Sequence, residues 1–366
     1  MAFGGLEFYA ERGENHREGR GLFAVSGLTD PGPVFPGEGE RMGILSKGFY
    51  FKGKKGFETK SLSPKKVIAR TLVAFAVTVA LLAGALFLFK NKFIFYPRKG
   101  IELTPASIGW EFKDLFLDSV GGNKINAWHL PAPAGGETVI LLHGNGGNLT
   151  EMIGRIISYR KRGFGVMAVD YQGFGLSGGS PSERAAYGDA EAAWDYLTET
   201  LGADPKKILI HGFSLGGGVA SHLALAHKEH ENPLVLDSTF TKIEDVAKLR
   251  GFPASWAGAL VLGDEFDTLS RLPELRPSTL VVLHSPDDEI VPYELGEKIF
   301  AAYSNGPKEF VELEGGHLDF YLNQWRYAAA TDRLFPSGPG APAGAPGTEG
   351  DPNAPNAPNA GTDPKA

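Results

Sequence analysis

The sequence predicts an α/β fold: a mostly parallel sheet of eight strands with helices on both faces and a small cap, preceded by one transmembrane helix. Three observations carry this. Short, nearly all-apolar β-rich runs alternate with helix-length segments from about 111 to 335, the pattern of strands buried on both faces by crossover helices. Glycine-rich turns follow the carboxyl ends of several of these runs, where sheets of this type place their reactive loops. Before the first run, Thr71 to Phe89 is a stretch of nineteen residues without a charge, which at ~1.5 Å per residue reaches across a bilayer core of roughly 30 Å.

In chain order, residues 1–66 are glycine-rich and polar, basic toward their end, and lack sustained periodicity, so they are expected to be disordered. Met42 stands as a second candidate start, because the basic, anchor-like stretch begins just after it; a native N-terminal mass that includes residues 1–41 removes that idea. Residues 67–89 form the transmembrane anchor. The run is apolar all round, unlike a core helix with one polar stripe, and "LFLF" carries it past the Ala83-Gly84-Ala85 imitation of a cleavage site. Lys47 to Arg70 hold eight Lys/Arg against five from Lys90 to Lys113, so the N-terminus is expected in the cytoplasm and the large C-terminal part outside it. Residues 90–110 read as a juxtamembrane linker, with Phe93, Phe95 and Tyr96 among Lys90, Lys92, Arg98 and Lys99 at the headgroup boundary.

Within 111–335, "DLFLDSV" and "KINAWHL" form an opening antiparallel pair. The runs "TVILLH", "GVMAVDY", "KKILIHG", "PLVLD", "STLVVLHS" and "KEFVELE" complete the sheet. The cap is expected at about 238–278, where Phe252, Trp256, Leu260, Val261, Leu262 and Phe266 supply an apolar surface for a pocket. Residues 336–366 are a Pro/Gly/Ala-rich tail with too little apolar surface to fold.

Composition excludes several function classes. A net charge of −7 leaves no overall basic surface for nucleic acid. The absence of cysteine removes disulfides, thiolate metal sites, a cysteine nucleophile and palmitoylation of this chain. His222, His227 and His230 follow a helix-like run, and His227 with His230 lacks a matching carboxylate pattern, so a solvated helix end is expected and no metal site.

The chemistry lies in the turns. "KKILIHGFSLGGG" places Ser214 on a strand-to-helix turn as Gly212-Phe213-Ser214-Leu215-Gly216, a G-x-S-x-G elbow in which the flanking glycines must lack bulk. "HGNGGN", with His143, Gly144 and Asn145, ends a strand, and its backbone amides can turn toward a developing negative charge. "GFGLSG" from Gly173 formally matches G-x-G-x-x-G, but its helix starts too late for a dinucleotide site. The Asn148 sequon falls inside the "HGNGGN" turn and is discounted. Two loops offer an acid, "HSPDDEIVP" with Asp287 and Asp288 and "PLVLD" with Asp237, while "EGGHLDF" offers His317 as base. The order serine, acid, histidine fits a hydrolase triad.

Together with "FYP", "DYQGFGLSGG" and "GGHLD", these motifs resemble the α/β-hydrolase superfamily, and more narrowly its membrane-anchored serine hydrolases of the Bem46/ABHD13 type, over about Phe95 to Leu334. The resemblance implies Ser214 as nucleophile, His317 as base, Asp288 as acid through D-x-x-V-P, and the amides of Asn145 and Leu215 as the oxyanion hole. His143, Gly144, Gly212 and Gly216 support the motifs. It also implies a "GFGLSG" turn packed beneath the site. No cofactor is expected, and the location of an anchored domain beside a bilayer points to a small-molecule or lipid acyl substrate cleaved at an ester or thioester. Peptides are the alternative substrate class, and a catalytically inactive, membrane-tethered scaffold is the alternative function. Acyl length and oligomeric state stay open.

Overall fold

The computed structural model describes residues 63–133, 135–249 and 265–335. Eight strands form the main sheet: β1 Lys113–Asp118, β2 Lys124–Leu130, β3 Thr138–Leu142, β4 Gly165–Val169, β5 Ile208–Phe213, β6 Leu234–Asp237, β7 Leu280–His284 and β8 Lys308–Glu312. Their spatial order is β8-β7-β6-β5-β3-β4-β2-β1. β1 and β2 pair antiparallel, as does β2 with β4, and every other pairing is parallel.

Described helices are α1 Pro64–Ile94, α2 Ile153–Lys161, α3 Glu183–Asp195, α4 Leu215–Ala226, α5 Ile243–Leu249, α6 Thr268–Arg271, α7 Tyr293–Ala302 and α8 Gln324–Thr331. Alternate strand residues feed two separate cores, because successive side chains in a strand point to opposite faces. Ile140, Leu142, Ile208 and Ile210 pack with Ala190 and Trp194 of α3, Val219 and Leu223 of α4, and Ile299 of α7. Val139, Leu141, Leu209 and Val235 pack on the other face with Ile156 of α2 and Tyr327 of α8. The chain steps from β3 outward to β4 and then returns to β5 on the opposite side of β3. This reversal opens a crevice at the carboxyl ends of β3 and β5, where sheets of this type bind ligands.

α1 is longer than the expected span. The most apolar eighteen-residue window of its segment Pro64–Phe89 has a mean hydropathy of 2.7 and none of that window is buried, so the helix is long and apolar enough to cross a membrane. Residues 90–110 are not a free linker: Ile94 and Phe95 are only 2% and 3% exposed, so the folded unit begins before the expected boundary at 111. Phe95 leaves the expected headgroup belt and meets Phe174 and Phe266 edge to face, while Phe93 and Tyr96 stay exposed. Tyr96–Pro97 pairs in parallel with Gly146–Gly147, and Lys99 bridges to Gly175. The backbone polar groups of this strap thus find partners in two loops of the sheet.

The cap is a partial correction. Phe266 is fully buried against Gly218, Phe95 and Tyr187 rather than facing a pocket, because a large apolar side chain gains more from the core than from an open cleft. Phe252, Trp256, Leu260, Val261 and Leu262 lie outside the described residues.

Candidate active site

The turn after β5 determines the site. Ser214 has φ 53° and ψ −120°, a conformation that costs about 1–3 kcal/mol for a non-glycine residue. Its neighbours hold it there: its amide donates to the Asp237 carbonyl at 2.8 Å, and the Thr239 hydroxyl donates to its carbonyl at 2.6 Å. A Cβ at Gly212 would collide with the Gly216 carbonyl, and one at Gly216 with the Leu142 carbonyl. Both glycines are therefore steric requirements of the turn.

His317 lies over this serine. Its Nδ1 is 2.7 Å from Asp288 Oδ2, and its Nε2 is 3.0 Å from Ser214 Oγ. Because an ionised carboxylate only accepts, Nδ1–H donates to Asp288, which leaves Nε2 to accept the serine proton. The Asp288 side chain is fully buried, and burial alone would raise its carboxyl. The adjacent His284 imidazole, the hydrogen bond and charge of His317 and the Val291 amide outweigh that and hold it well below the usual carboxylate range. Asp287 is exposed.

Asn145 and Leu215 follow β3 and β5 at the same opening, and among the described residues no protein acceptor takes either backbone amide. Gly144 passes beside Ser214. The adjoining cleft is about 440 Å³ and is lined by His143, Asn145, Arg155, Ser214, His317 and Phe320, among others, a size suited to a small organic ligand.

Asp237 is engaged elsewhere. It accepts from Arg155 Nε at 2.9 Å, Tyr327 Oη at 2.6 Å and His211 Nε2 at 3.3 Å. Burial would raise this carboxyl too, but the Arg155 charge and the His211 and Tyr327 hydrogen bonds hold it well below its ordinary value. His143 is another packed residue: its Nδ1–H donates to the Gly144 carbonyl at 2.8 Å, and burial lowers its imidazole to about 4. Beside it at 3.4 Å, burial pushes Asp170 up to about 8, so both groups are neutral near pH 7.

Sequence reasoning missed three residues around the triad. His284 backs Asp288 at 3.5 Å while donating through Nε2 to the Val291 carbonyl at 2.9 Å. Glu289 accepts from the His317 amide at 3.0 Å. Arg155 stacks 3.9 Å over Phe213, whose other neighbour is the His317 ring at 5.0 Å. Only His284, at the end of its strand run, carried a sequence signal. The side chain of Asn148 is buried, donating to Gly100 and accepting from Thr150, which leaves the sequon unavailable. Gly173 closes its turn on Gly178 at 2.8 Å and no helix follows until Glu183, so the dinucleotide geometry is absent there.

A family model for the alpha/beta hydrolase fold matches residues 137–272. The protein Rv2307c of Mycobacterium tuberculosis is 30% identical over 281 residues, 75% of this chain and 97% of its own length. The chain belongs to the α/β-hydrolase family. Mouse lysophosphatidylserine lipase ABHD12 is 33% identical over 256 residues, 62% of this chain and 60% of its own length. Among solved structures, an alpha-beta hydrolase from Vibrio vulnificus aligns with a TM-score of 0.55 at 25% identity, covering 63% of this chain and 83% of that one. This family member has a hydrolase's fold, and a small molecule or lipid is the kind of substrate that fold takes.

The remaining histidines lie apart. His222 stacks on Tyr187 at 3.8 Å. His227 stacks on Trp194 at 4.0 Å and bonds Glu191 at 2.7 Å. A carboxylate does join the pair: His227, Glu229 and His230 present ligand atoms within 4.8 Å of one another. They lie past the far end of α4, ~20 Å along the helix from Ser214.

Proposed function

We propose that the chain is a membrane-anchored serine hydrolase that cleaves ester or thioester bonds of acyl substrates. The observation that carries this reading is the continuous line from Asp288 through His317 to Ser214 Oγ, 2.7 Å and 3.0 Å long, with two uncommitted amides at the same cleft. Ser214 Oγ attacks the acyl carbon as its proton passes to His317 Nε2, and Asp288 stabilises the imidazolium. The carbonyl oxygen, now negative, is received by the Asn145 and Leu215 amides. His317 returns the proton to the departing alcohol or thiol. Water, deprotonated by the same imidazole, then attacks the acyl-enzyme, and the acid leaves as Ser214 regains its hydrogen.

α1 serves as the anchor in this reading, with the basic excess before it holding the N-terminus in the cytoplasm and the catalytic unit outside. The name of the mouse relative, a lysophosphatidylserine lipase, supports monoacyl lipids as a substrate class. The test is turnover by the full chain in detergent micelles of short esters, long-chain esters, acyl thioesters, monoacyl phospholipids and a peptide amide. Ester or thioester cleavage that is lost in Ser214→Ala is expected. Cleavage of the peptide alone would overturn the substrate class, and no turnover of any member would favour the scaffold.

A further inference from the structure

Four large apolar side chains stand in water immediately after His317. Leu318, Tyr321, Leu322 and Trp325 are 67%, 70%, 56% and 64% exposed, on the 3-10 turn Phe320–Asn323 and the start of α8. Leu318 and Tyr321 also line the cleft that holds Ser214. A tryptophan and a tyrosine beside leucines form the side-chain mixture that settles at a membrane interface. Arg326, ion-paired with Glu314 at 2.6 Å, lies 4.4 Å over the Trp325 ring and supports it.

The lining of the same cleft is also tied to the end of α1. The Asn145 side chain donates to the Ile94 carbonyl at 2.9 Å, and the Tyr96 amide donates to the Asn145 carbonyl at 2.8 Å. Asn145 itself lines the cleft. The chain therefore leaves its apolar helix and within a few residues is hydrogen-bonded to the candidate oxyanion loop. A bilayer that covers the apolar run 71–89 ends a few residues before this bonded loop. Exposed Lys92 and Phe93 sit at this exit, a cation and an aromatic suited to the same layer.

We propose that the rim of Leu318, Tyr321, Leu322 and Trp325 beds into the surface of the bilayer that holds α1, so that the cleft receives amphiphilic acyl substrates from the membrane rather than from solution. This rests on reading α1 as an anchor and Ser214 as the nucleophile. A bilayer accounts for both apolar features at once, the uncovered helix and the uncovered rim, which are joined through the lining of one cleft.

The chain has no native cysteine, so a single introduced thiol gives a unique label. Leu81→Cys, Leu201→Cys, Leu322→Cys and Trp325→Cys forms of the full chain, each carrying an environment-sensitive fluorophore, are reconstituted into equimolar phosphatidylcholine and phosphatidylserine vesicles with and without nitroxide-lipid quenchers, deep ones for position 81 and shallow ones for 322 and 325, both being applied to 201. Leu201 precedes β5 at the other end of the sheet and is the aqueous control. Quenching at 81, 322 and 325 but not at 201 is expected. Quenching at 81 with 322 and 325 matching 201 would overturn the docking and leave the anchor standing. Absence of quenching at 81 would overturn the anchor and the docking with it. Labels at 322 and 325 that shift to the blue without quenching would place a protein or a second copy on the rim, against the proposal. Fluorophosphonate labelling of the same samples reports separately on Ser214. As a second readout, Trp325→Ser should lower the ratio of monoacyl phospholipid turnover in these vesicles to p-nitrophenyl acetate turnover by about tenfold, the loss of one buried aromatic contact; an unchanged ratio would contradict the proposal.

Discussion

Two aspartate–histidine pairs lie at the carboxyl end of this sheet, Asp288 with His317 at 2.7 Å and Asp237 with His211 at 3.3 Å. In both, the carboxylate is buried and held below its ordinary value. They differ in the third partner. His317 turns its free nitrogen to Ser214 and the cleft, whereas the other nitrogen of His211 meets the Tyr159 hydroxyl at 2.8 Å in a fully buried setting. Asp237 is further tied to Arg155, a cation that Asp288 lacks. In the proposed reading one pair moves a proton, while the other fastens α2 and α8 to the sheet. Residue type alone does not separate them; access and the third partner do.

The comparison breaks most sharply at the serine. Ser214→Ala and His317→Ala should each lower ester turnover by about 10⁴-fold or more, measured as initial rates on folded protein. Next, Asp288→Asn should cost about 10³–10⁴-fold in kcat with little change in melting temperature. Asp237→Ala should do the reverse. It leaves Arg155 buried without its anion, a loss of about 3–5 kcal/mol, read as a lower denaturation midpoint, while the folded fraction still reacts with an active-site probe. If Asp237→Ala abolished reaction in folded protein, the two pairs would not be separable in role.

A third pair, His143 with Asp170, sharpens the contrast because burial outweighs the Lys99 charge near it. Burial lowers His143 to about 4 and raises Asp170 to about 8. The stabilising part of a raised acid is complete below its unfolded value and lost as pH rises through its folded one. The His143 part runs oppositely and is complete above its ordinary 6.5. From pH 6.5 to 8, therefore, the Asp170 part dominates, and the melting temperature should fall by a few degrees. Asp170→Asn should flatten that fall. The smallest effect concerns the His227, Glu229 and His230 group: chelator treatment should leave the rate of ester hydrolysis unchanged, since the proposed steps need no metal.

Much of this arrangement was legible in the sequence because it is local. Strand runs, the G-x-S-x-G elbow and the "HGNGGN" turn each declare themselves within a few residues, and the eight strands and their opening antiparallel pair appear where the pattern places them. What depends on distant packing was not legible. The exposed-looking aromatics Phe95 and Phe266 meet each other in the core across a long stretch of sequence, so the juxtamembrane segment and part of the cap were misjudged. Asp237 and Asp288 both stand as acids at the ends of strand runs, and what separates them is distance: Asp288 meets His317 and Asp237 meets Arg155. Glu289 and Arg155 act through contacts that no spacing announces, and His284 is marked only by its place at the end of a strand run.

The central claim is that the Asp288–His317 line activates Ser214 and nothing else in the chain. It is tested most directly by treating the full chain with a fluorophosphonate and locating the adduct by peptide mass spectrometry. The account predicts one adduct, on the peptide containing Ser214, absent in His317→Ala. A folded chain that takes no label, or labels at another residue, would contradict it.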